Sequence, residues 1–237
     1  MLKCRKGGEI TKIKNIFKRY ELKYILTQNQ AETVIKEIEK HMEVDPFGET
    51  DILNIYYDTP DGRLIRNSID KPDYKEKLRL RCYGVPSDNS PAFIELKKKY
   101  DSIVYKRRLS ATYGQAVSFL ETGKLPDTQI GREIEYFLQF YKTLAPAMVV
   151  TYHRKAYLSG EFRATFDSNI LFRTRDLDLR SGIYGEQVTD KVIMELKSAN
   201  AIPFWLLRVL SENKIYKQPF SKYGTAYKKV KGEQYNG

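Results

Sequence analysis

Hydrophobic and polar positions alternate with a period of two over residues 76–109 (EKLRLRCYGVPSDNSPAFIELKKKYDSIVYKRRL), which predicts three β-strands with their charge on one face. Lys77, Arg79 and Arg81 point away from Leu78, Leu80 and Cys82. Glu95, Lys97 and Lys99 share a face in the next strand, and Lys106 and Arg108 share one with Val104 in the third. The same alternation predicts strands over 16–26, 51–58, 148–158, 162–167, 170–174 and 191–197. Helical spacing predicts a helix from its Thr27 cap to about 42, striped by Ala31, Val34, Ile35 and Ile38. Further helices are expected over 63–68, from a Ser110 cap to about 121, over 130–144 (Ile134, Phe137, Leu138, Tyr141) and after Pro203. Asp45-Pro46-Phe47-Gly48 and Thr59-Pro60-Asp61-Gly62 read as breaks, and 84–92 as a hairpin loop. The tail segment SKYGTAYKK reads only as basic.

About eight strands and four helices, without βαβ alternation, predict an antiparallel α+β fold. No composition break divides the chain, so one domain over 1–237 is expected, with 1–14 as a peripheral N-terminal segment. The tripeptide Glu-Leu-Lys recurs at 21–23, 95–97 and 195–197, each time inside a predicted strand. On one strand such a pattern is a solvated salt-bridge ladder. Here cations exceed carboxylates on the charged faces, although like charges opposite each other destabilise a sheet. Arg154, Arg163 and Lys197 carry the pattern into distant strands. Eight such strands closing into a tunnel-like β-barrel, charge inward and apolar faces against flanking helices, would need water or a polyanion inside.

Composition agrees with an anionic ligand: 41 Lys+Arg against 30 Asp+Glu give a net charge of +11. Cys4 and Cys82 are too far apart in sequence for a cysteine zinc motif, and His41 and His153 form no metal pair by spacing. Asp176 and Asp178 read as a loop. The chain has no Walker-type phosphate loop, no apolar run of transmembrane length and no signal-peptide h-region, so a cytoplasmic protein is expected. Nucleic acid is not the expected partner, because many Tyr and Phe alternate onto apolar faces.

The ordered segments RYELKY, IYYDTPDGRL, KLRLRCYG, FIELKKK, YKRR, TYHRKAY, FRATFD, VIMELK and FSKYGTAYKK resemble the polyphosphate polymerase domain of the vacuolar transporter chaperone (VTC) family, within the triphosphate tunnel metalloenzyme (CYTH-like) superfamily. The resemblance runs from about Phe17 to Lys228. It implies a tunnel in which Lys23, Arg79, Arg81, Lys97, Lys106, Arg154 and Arg163 hold phosphates. It places Glu195 at the family's metal-binding Glu, with Lys197 beside it and Lys222 at a C-terminal phosphate contact. Glu21 and Glu95 are further candidate ligands for Mg²⁺ or Mn²⁺, with a salt bridge to a neighbouring strand as the stronger reading of each. The triphosphatase branch opens with Glu-x-Glu-x-Lys, whereas this chain has Arg19 at the first acid (RYELK), which tilts the expectation towards the polymerase-like branch.

The implied activity is phosphoryl transfer from ATP to a growing inorganic polyphosphate chain. The alternatives are a metal-dependent triphosphatase and a non-catalytic module that binds polyphosphate or a nucleotide. The acceptor, the oligomeric state and any membrane partner are left open.

Overall fold

The structure, a computed structural model, describes residues 20–70, 73–101, 103–199 and 201–232. The expected peripheral segment 1–14, the strand residues 16–19 and Arg19 lie outside them. One sheet contains β1 (Tyr20–Leu26), β2 (Glu43–Asp58), β3 (Tyr74–Tyr83), β4 (Pro91–Tyr100), β5 (Ile103–Thr112), β6 (Ala145–Ser159), β7 (Phe162–Arg173), β8 (Glu186–Thr189) and β9 (Val192–Ser198). Its order is β1-β9-β7-β6-β2-β3-β4-β5, with β8 on β7 off that path, and every pairing is antiparallel. β4 and β1 stand near opposite ends of this order, yet the charge of Lys97 interacts with those of Glu21 and Lys23. The sheet is therefore curled into a tunnel-like half-barrel. Among the described residues β1 and β5 are not paired, so a seam is open between them.

Among the described residues six α-helices flank the sheet: α1 (Gln28–Ile38), α2 (Arg63–Ile69), α3 (Tyr113–Thr122), α4 (Gln129–Tyr141), α5 (Phe204–Glu212) and α6 (Lys222–Val230). On the convex side, Leu26, Ala164, Phe166, Met194 and Leu196 pack against α1 and α5 through Val34, Ile38, Leu206 and Leu210. Leu53, Ile55, Leu78, Leu80, Ile94 and Leu96 pack against α3 and α4 through Ala116, Ile134 and Phe137. Each fully buried aliphatic side chain of these layers contributes about 1.5–3 kcal/mol.

A third apolar cluster occupies part of the concave face. Ile52, Tyr56, Met148, Val150 and Tyr152 lie there under Phe220, Tyr223 and Ala226 of the α6 region. The charged interior is interrupted at its centre, where the strands β2 and β6 present apolar side chains that α6 covers. The sequence reading missed α6 because Gly224, Thr225 and three lysines obscure its Tyr223-Ala226-Tyr227 stripe.

Other differences have local causes. Asp45-Pro46-Phe47-Gly48 does not end an element; it is absorbed as an irregularity in β2, whose register on β6 shifts between Val44 and Glu49. The two strands expected over 162–174 are one, with Asn169 at φ 48° accommodating the irregularity. The third helix is capped by Thr112, not Ser110. The Thr112 hydroxyl accepts from the Gln115 N–H while the Gln115 side chain accepts from the Thr112 N–H.

The Asp58-Thr59-Pro60-Asp61-Gly62 turn carries a second kind of order. Gly62 precedes α2 with φ 69° and no side-chain cap, and a Cβ there would meet the Tyr227 ring at 3.2 Å. Asp58, 2% exposed, supplies the cap instead. Its Oδ1 accepts from the N–H groups of Thr59 and Leu64 at 2.8 Å, and its Oδ2 accepts from the Ile65 N–H and the Tyr223 hydroxyl at 3.0 Å. One carboxylate thus joins the end of β2, the start of α2 and α6. Asp58→Ala strands these donors and is expected to cost about 3 kcal/mol, lowering Tm by roughly 10 °C. Calorimetry checks this, and an unchanged Tm would remove Asp58 from that role.

Candidate functional site

The register of β2 to β5 stacks the charged side chains in rows. Lys77 faces Lys97, which faces Lys106; Tyr56 faces Arg79, which faces Glu95, which faces Arg108; Asn54 faces Arg81. Glu95 is the centre of this lattice and is 1% exposed. Its Oε2 accepts from Arg79 Nε at 2.7 Å and its Oε1 accepts from Arg108 Nε and Lys106 Nζ at 2.7 Å, with Arg81 Nε at 4.0 Å. Burial alone would raise the Glu95 pKa, but the Arg79 and Arg81 charges outweigh it and hold it well below the usual carboxylate range. Arg81 is also fixed from the other side, donating to Asn54 Oδ1 at 2.8 Å and to the Tyr152 hydroxyl at 3.1 Å.

A second buried carboxylate organises the opposite wall. Asp167 on β7 accepts from Arg154 Nε at 2.6 Å and NH2 at 2.8 Å, and from Lys222 Nζ at 2.5 Å. Its pKa is lowered too, because the Lys222 and Arg154 charges exceed its burial penalty. Lys222 also lies over the Tyr152 ring, 4.5 Å from the centroid, with Arg154 at 5.3 Å from the same ring. Arg163 stands towards the rim, donating to Asp45 Oδ2 at 2.9 Å, with Lys197 as its register partner.

β9 and β1 close the constellation. Glu195 Oε1 lies 2.8 Å from Lys197 Nζ, and Lys23 Nζ lies 3.8 Å from Glu195 and 3.6 Å from Glu21. The Lys23 ammonium also donates to the Phe220 carbonyl at 3.2 Å. Burial would raise the Glu195 pKa, but Lys197, Lys23 and Arg154 together depress it.

Two lysines face this wall without a carboxylate of their own. Among the described residues Lys97 makes no ion pair, and Lys77 Nζ donates to the Ser221 hydroxyl at 3.2 Å. Both lie on the concave face, Lys77 half-buried and Lys97 exposed, so water reaches them. Burial, with Lys23, Lys97 and Lys75 nearby, pushes Lys77 down to about 8. Burial, Lys23 and Arg79 lower Lys97 as well, against the pull of Glu21 and Glu195. Tyr56, which accepts from Arg79 NH1 at 3.3 Å, is drawn down to about 8 because Arg79, Lys77 and Arg81 outweigh its burial.

The structure thus gathers Lys23, Arg79, Arg81, Lys97, Lys106, Arg154, Lys197 and Lys222 with Glu21, Glu95 and Glu195 on one concave face, and sets Arg163 nearer its rim. Sequence reasoning left Lys77, Arg108, Tyr56, Tyr152 and Asp167 out of the site. Parity alone could have added Lys77 and Arg108, and Asp167 stands two positions from Thr165 on the Arg163 face. Nothing in the local sequence marks Tyr152, whose role depends on β3 and α6 arriving beside it.

The carboxylates differ in what they could hold. The Glu95 oxygens are occupied by cations of their own sheet, which leaves no lone pair aimed at a metal. Glu195 and Glu21 share one lysine and face the bore, a donor set that suits a hard cation completed by water and phosphate oxygens. Among the described residues no group of three or more His, Cys, Asp or Glu side chains forms a metal cage, and Asp176 and Asp178 instead hold Ser181, Tyr113 and Arg180.

The fold is shared with several solved structures. A candidate adenylate cyclase from Bacillus halodurans matches with 13% identity and a TM-score of 0.56, over 85% of this chain and 92% of that one. A candidate adenylyl cyclase from Hippeastrum, described as having a dominant triphosphatase activity, matches with 13% identity and a TM-score of 0.52, over 91% and 97%. A candidate adenylate cyclase from Vibrio parahaemolyticus gives 14% and 0.51, over 88% and 97%. No curated protein sequence matches. The VTC domain family profile matches residues 18–231, and the chain belongs to that family. Among the described residues no helix is long and apolar enough to cross a membrane.

The Glu95 lattice has a measurable consequence. A depressed folded pKa means that the unfolded chain binds more protons as pH falls below about 4, so the Glu95 contribution is present above that pH and is lost on acidification. Glu95→Gln should destabilise the protein by about 3–5 kcal/mol at pH 7, and the gap to wild type should narrow as pH drops from 7 to 3. Urea midpoints across that range test it; a gap independent of pH would show that the charge is not its source.

Proposed function

We propose that the concave face binds a nucleoside triphosphate and passes its terminal phosphoryl group to an inorganic polyphosphate chain. The observation that carries this reading is the row Lys77, Lys97 and Lys106, which the register sets side by side across β3, β4 and β5. Lys77 and Lys97, crowded by each other and by Lys23, hold their protons less tightly than ordinary lysines. Crowded cations lower one another's affinity for protons and raise the affinity for an anion that neutralises them. Membership of the VTC domain family supports the choice of a phosphate chain.

Arg79, Arg81 and Arg108 are oriented by Glu95 and Asn54 before substrate arrives, so they can grip phosphate oxygens with little further ordering. Lys23, Lys77, Lys97 and Lys106 act as point charges along the chain of phosphates. In transfer, a terminal oxygen of the acceptor chain bonds to the γ-phosphorus of ATP while the β–γ bridging bond breaks and ADP leaves. Arg154, Lys197 and Lys222 face the same space and neutralise charge on the transferred and leaving groups. Glu195, with Glu21, would hold Mg²⁺ or Mn²⁺, which when bound neutralises and orients phosphate oxygens.

The fold relative from Hippeastrum supports a second outcome at the same site, transfer to water. Incubation with ATP and Mn²⁺ separates them: a lengthening phosphate polymer is expected, whereas free phosphate as the sole product would replace polymerase by triphosphatase. Arg79→Ala should reduce turnover to background, as should removal of the divalent ion with EDTA. An Arg79→Ala rate equal to wild type would exclude that residue from the site.

Binding should also be pH-dependent. An anion beside Lys77 favours the ammonium and raises its pKa, so binding takes up a proton near pH 8 and weakens as pH rises through that value. Tripolyphosphate affinity, by titration calorimetry, is expected to fall about tenfold between pH 7 and pH 9.5, and Lys77→Met should flatten the profile. An equally steep profile in that variant would assign the effect to another group.

A further inference from the structure

One aromatic residue stands apart from the apolar layers. Tyr74, Tyr83, Tyr100 and Tyr105 are the exposed aromatics of the three basic strands. Tyr74, Tyr100 and Tyr105 have the parity of the convex face, whereas Tyr83 has the parity of Lys77, Arg79 and Arg81. Tyr83 is the last residue of β3, 44% exposed, at the end of the cation row. Its ring packs edge-on against Phe93 of β4 with centroids 5.7 Å apart, and Arg108 lies over the Phe93 ring at 4.7 Å. Arg81 and Arg108 outweigh burial at the Tyr83 hydroxyl and hold its pKa below the usual tyrosine range. Gly84 follows at φ 75°, with open space where a Cβ would stand. An aromatic face is therefore presented to solvent directly beside the first arginines of the bore.

We infer that Tyr83, braced by Phe93, is the platform on which the nucleobase of the triphosphate donor stacks. The inference rests on the phosphate-chain reading above and adds the orientation of the donor. Successive residues of one strand face lie about 7 Å apart, so a base on Tyr83 puts the first phosphate beside Arg81 and Arg108 and the later ones towards Arg79, with the Lys77, Lys97 and Lys106 row beyond them. Stacking needs only a π-face, so the platform accepts a purine without reading its edge. Phe93 and Arg108 fix the ring from behind, which limits the ordering lost on binding.

The experiment compares ATP with tripolyphosphate, which has the phosphates and no base, by titration calorimetry on the full chain. Tyr83→Ala should weaken ATP about tenfold, within the range of base–aromatic stacking, and leave tripolyphosphate within twofold. Tyr83→Phe should keep both. Tripolyphosphate binding by the same sample reports that the bore is intact, and Phe93→Ala is a second variant expected to shift the ratio in the same direction. An ATP-to-tripolyphosphate ratio unmoved by Tyr83→Ala, whether both affinities stay or both fall, overturns the platform and leaves the bore's function standing. Wild-type protein that binds neither ligand would instead overturn the phosphate-chain reading, and the platform with it.

Discussion

The structure depends on holding many cations together on one curved surface. Two unit charges 4 Å apart interact by about 4 kcal/mol at an effective dielectric constant of 20, and the β3–β5 rows set cations opposite one another in register. Two carboxylates make this tolerable. Glu95 on β4 and Asp167 on β7 are almost completely buried; cations of β3 and β5 surround the first, and Arg154 of β6 with Lys222 of α6 the second. They sit on opposite sides of the central pair β2–β6, so each neutralises one wall. Neither could move to the surface without leaving arginines buried and unpaired.

The third apolar cluster is the complement of this arrangement. A concave face charged from end to end would have no partner for its central strands, and α6 supplies one by laying Tyr223 and Ala226 on Tyr56 and Tyr152. The same helix brings Ser221 to Lys77 and Lys222 to Asp167. Its position is set by Asp58, whose carboxylate accepts the Tyr223 hydroxyl while capping α2. Packing and electrostatics are thereby coupled: the element that covers the apolar part of the face also contributes to its charge.

Most of the sheet was legible because alternation is a local signal. Lys77-Leu78-Arg79-Leu80-Arg81 can only bury its leucines by presenting its cations to the other side, and the register bears this out. The Thr27 cap, reciprocated by Gln30, was legible because no second hydroxyl competes beside it, whereas the next cap was misplaced because Ser110 and Thr112 competed and Gln115 decided for Thr112. What could not be read depends on contacts distant in sequence. The strand order, the open seam between β1 and β5, and the partnership of Tyr152 with Arg81 and Lys222 are of this kind. Gly224 and Thr225, poor helix formers on any local scale, lie in α6 because tertiary burial overrides propensity.

The cations also divide by type. Arg79, Arg81, Arg108 and Arg154 are each anchored by a carboxylate, a side-chain amide or a tyrosine hydroxyl, so their planar groups are set in direction before any ligand arrives. Lys77 and Lys97 are held loosely or not at all and remain point charges on flexible stems. A ligand with one fixed end and a repeating, shifting remainder is matched by such a mixture better than by either residue type alone. Rigid forks fix the direction of their hydrogen bonds before a ligand arrives, and ammonium groups on flexible stems adjust to wherever an anion's charge lies. A face built only of arginines paired to acids would be preorganised but nearly neutral. One built only of lysines would be attractive but unordered, and its mutual repulsion would have no buried carboxylate to oppose it.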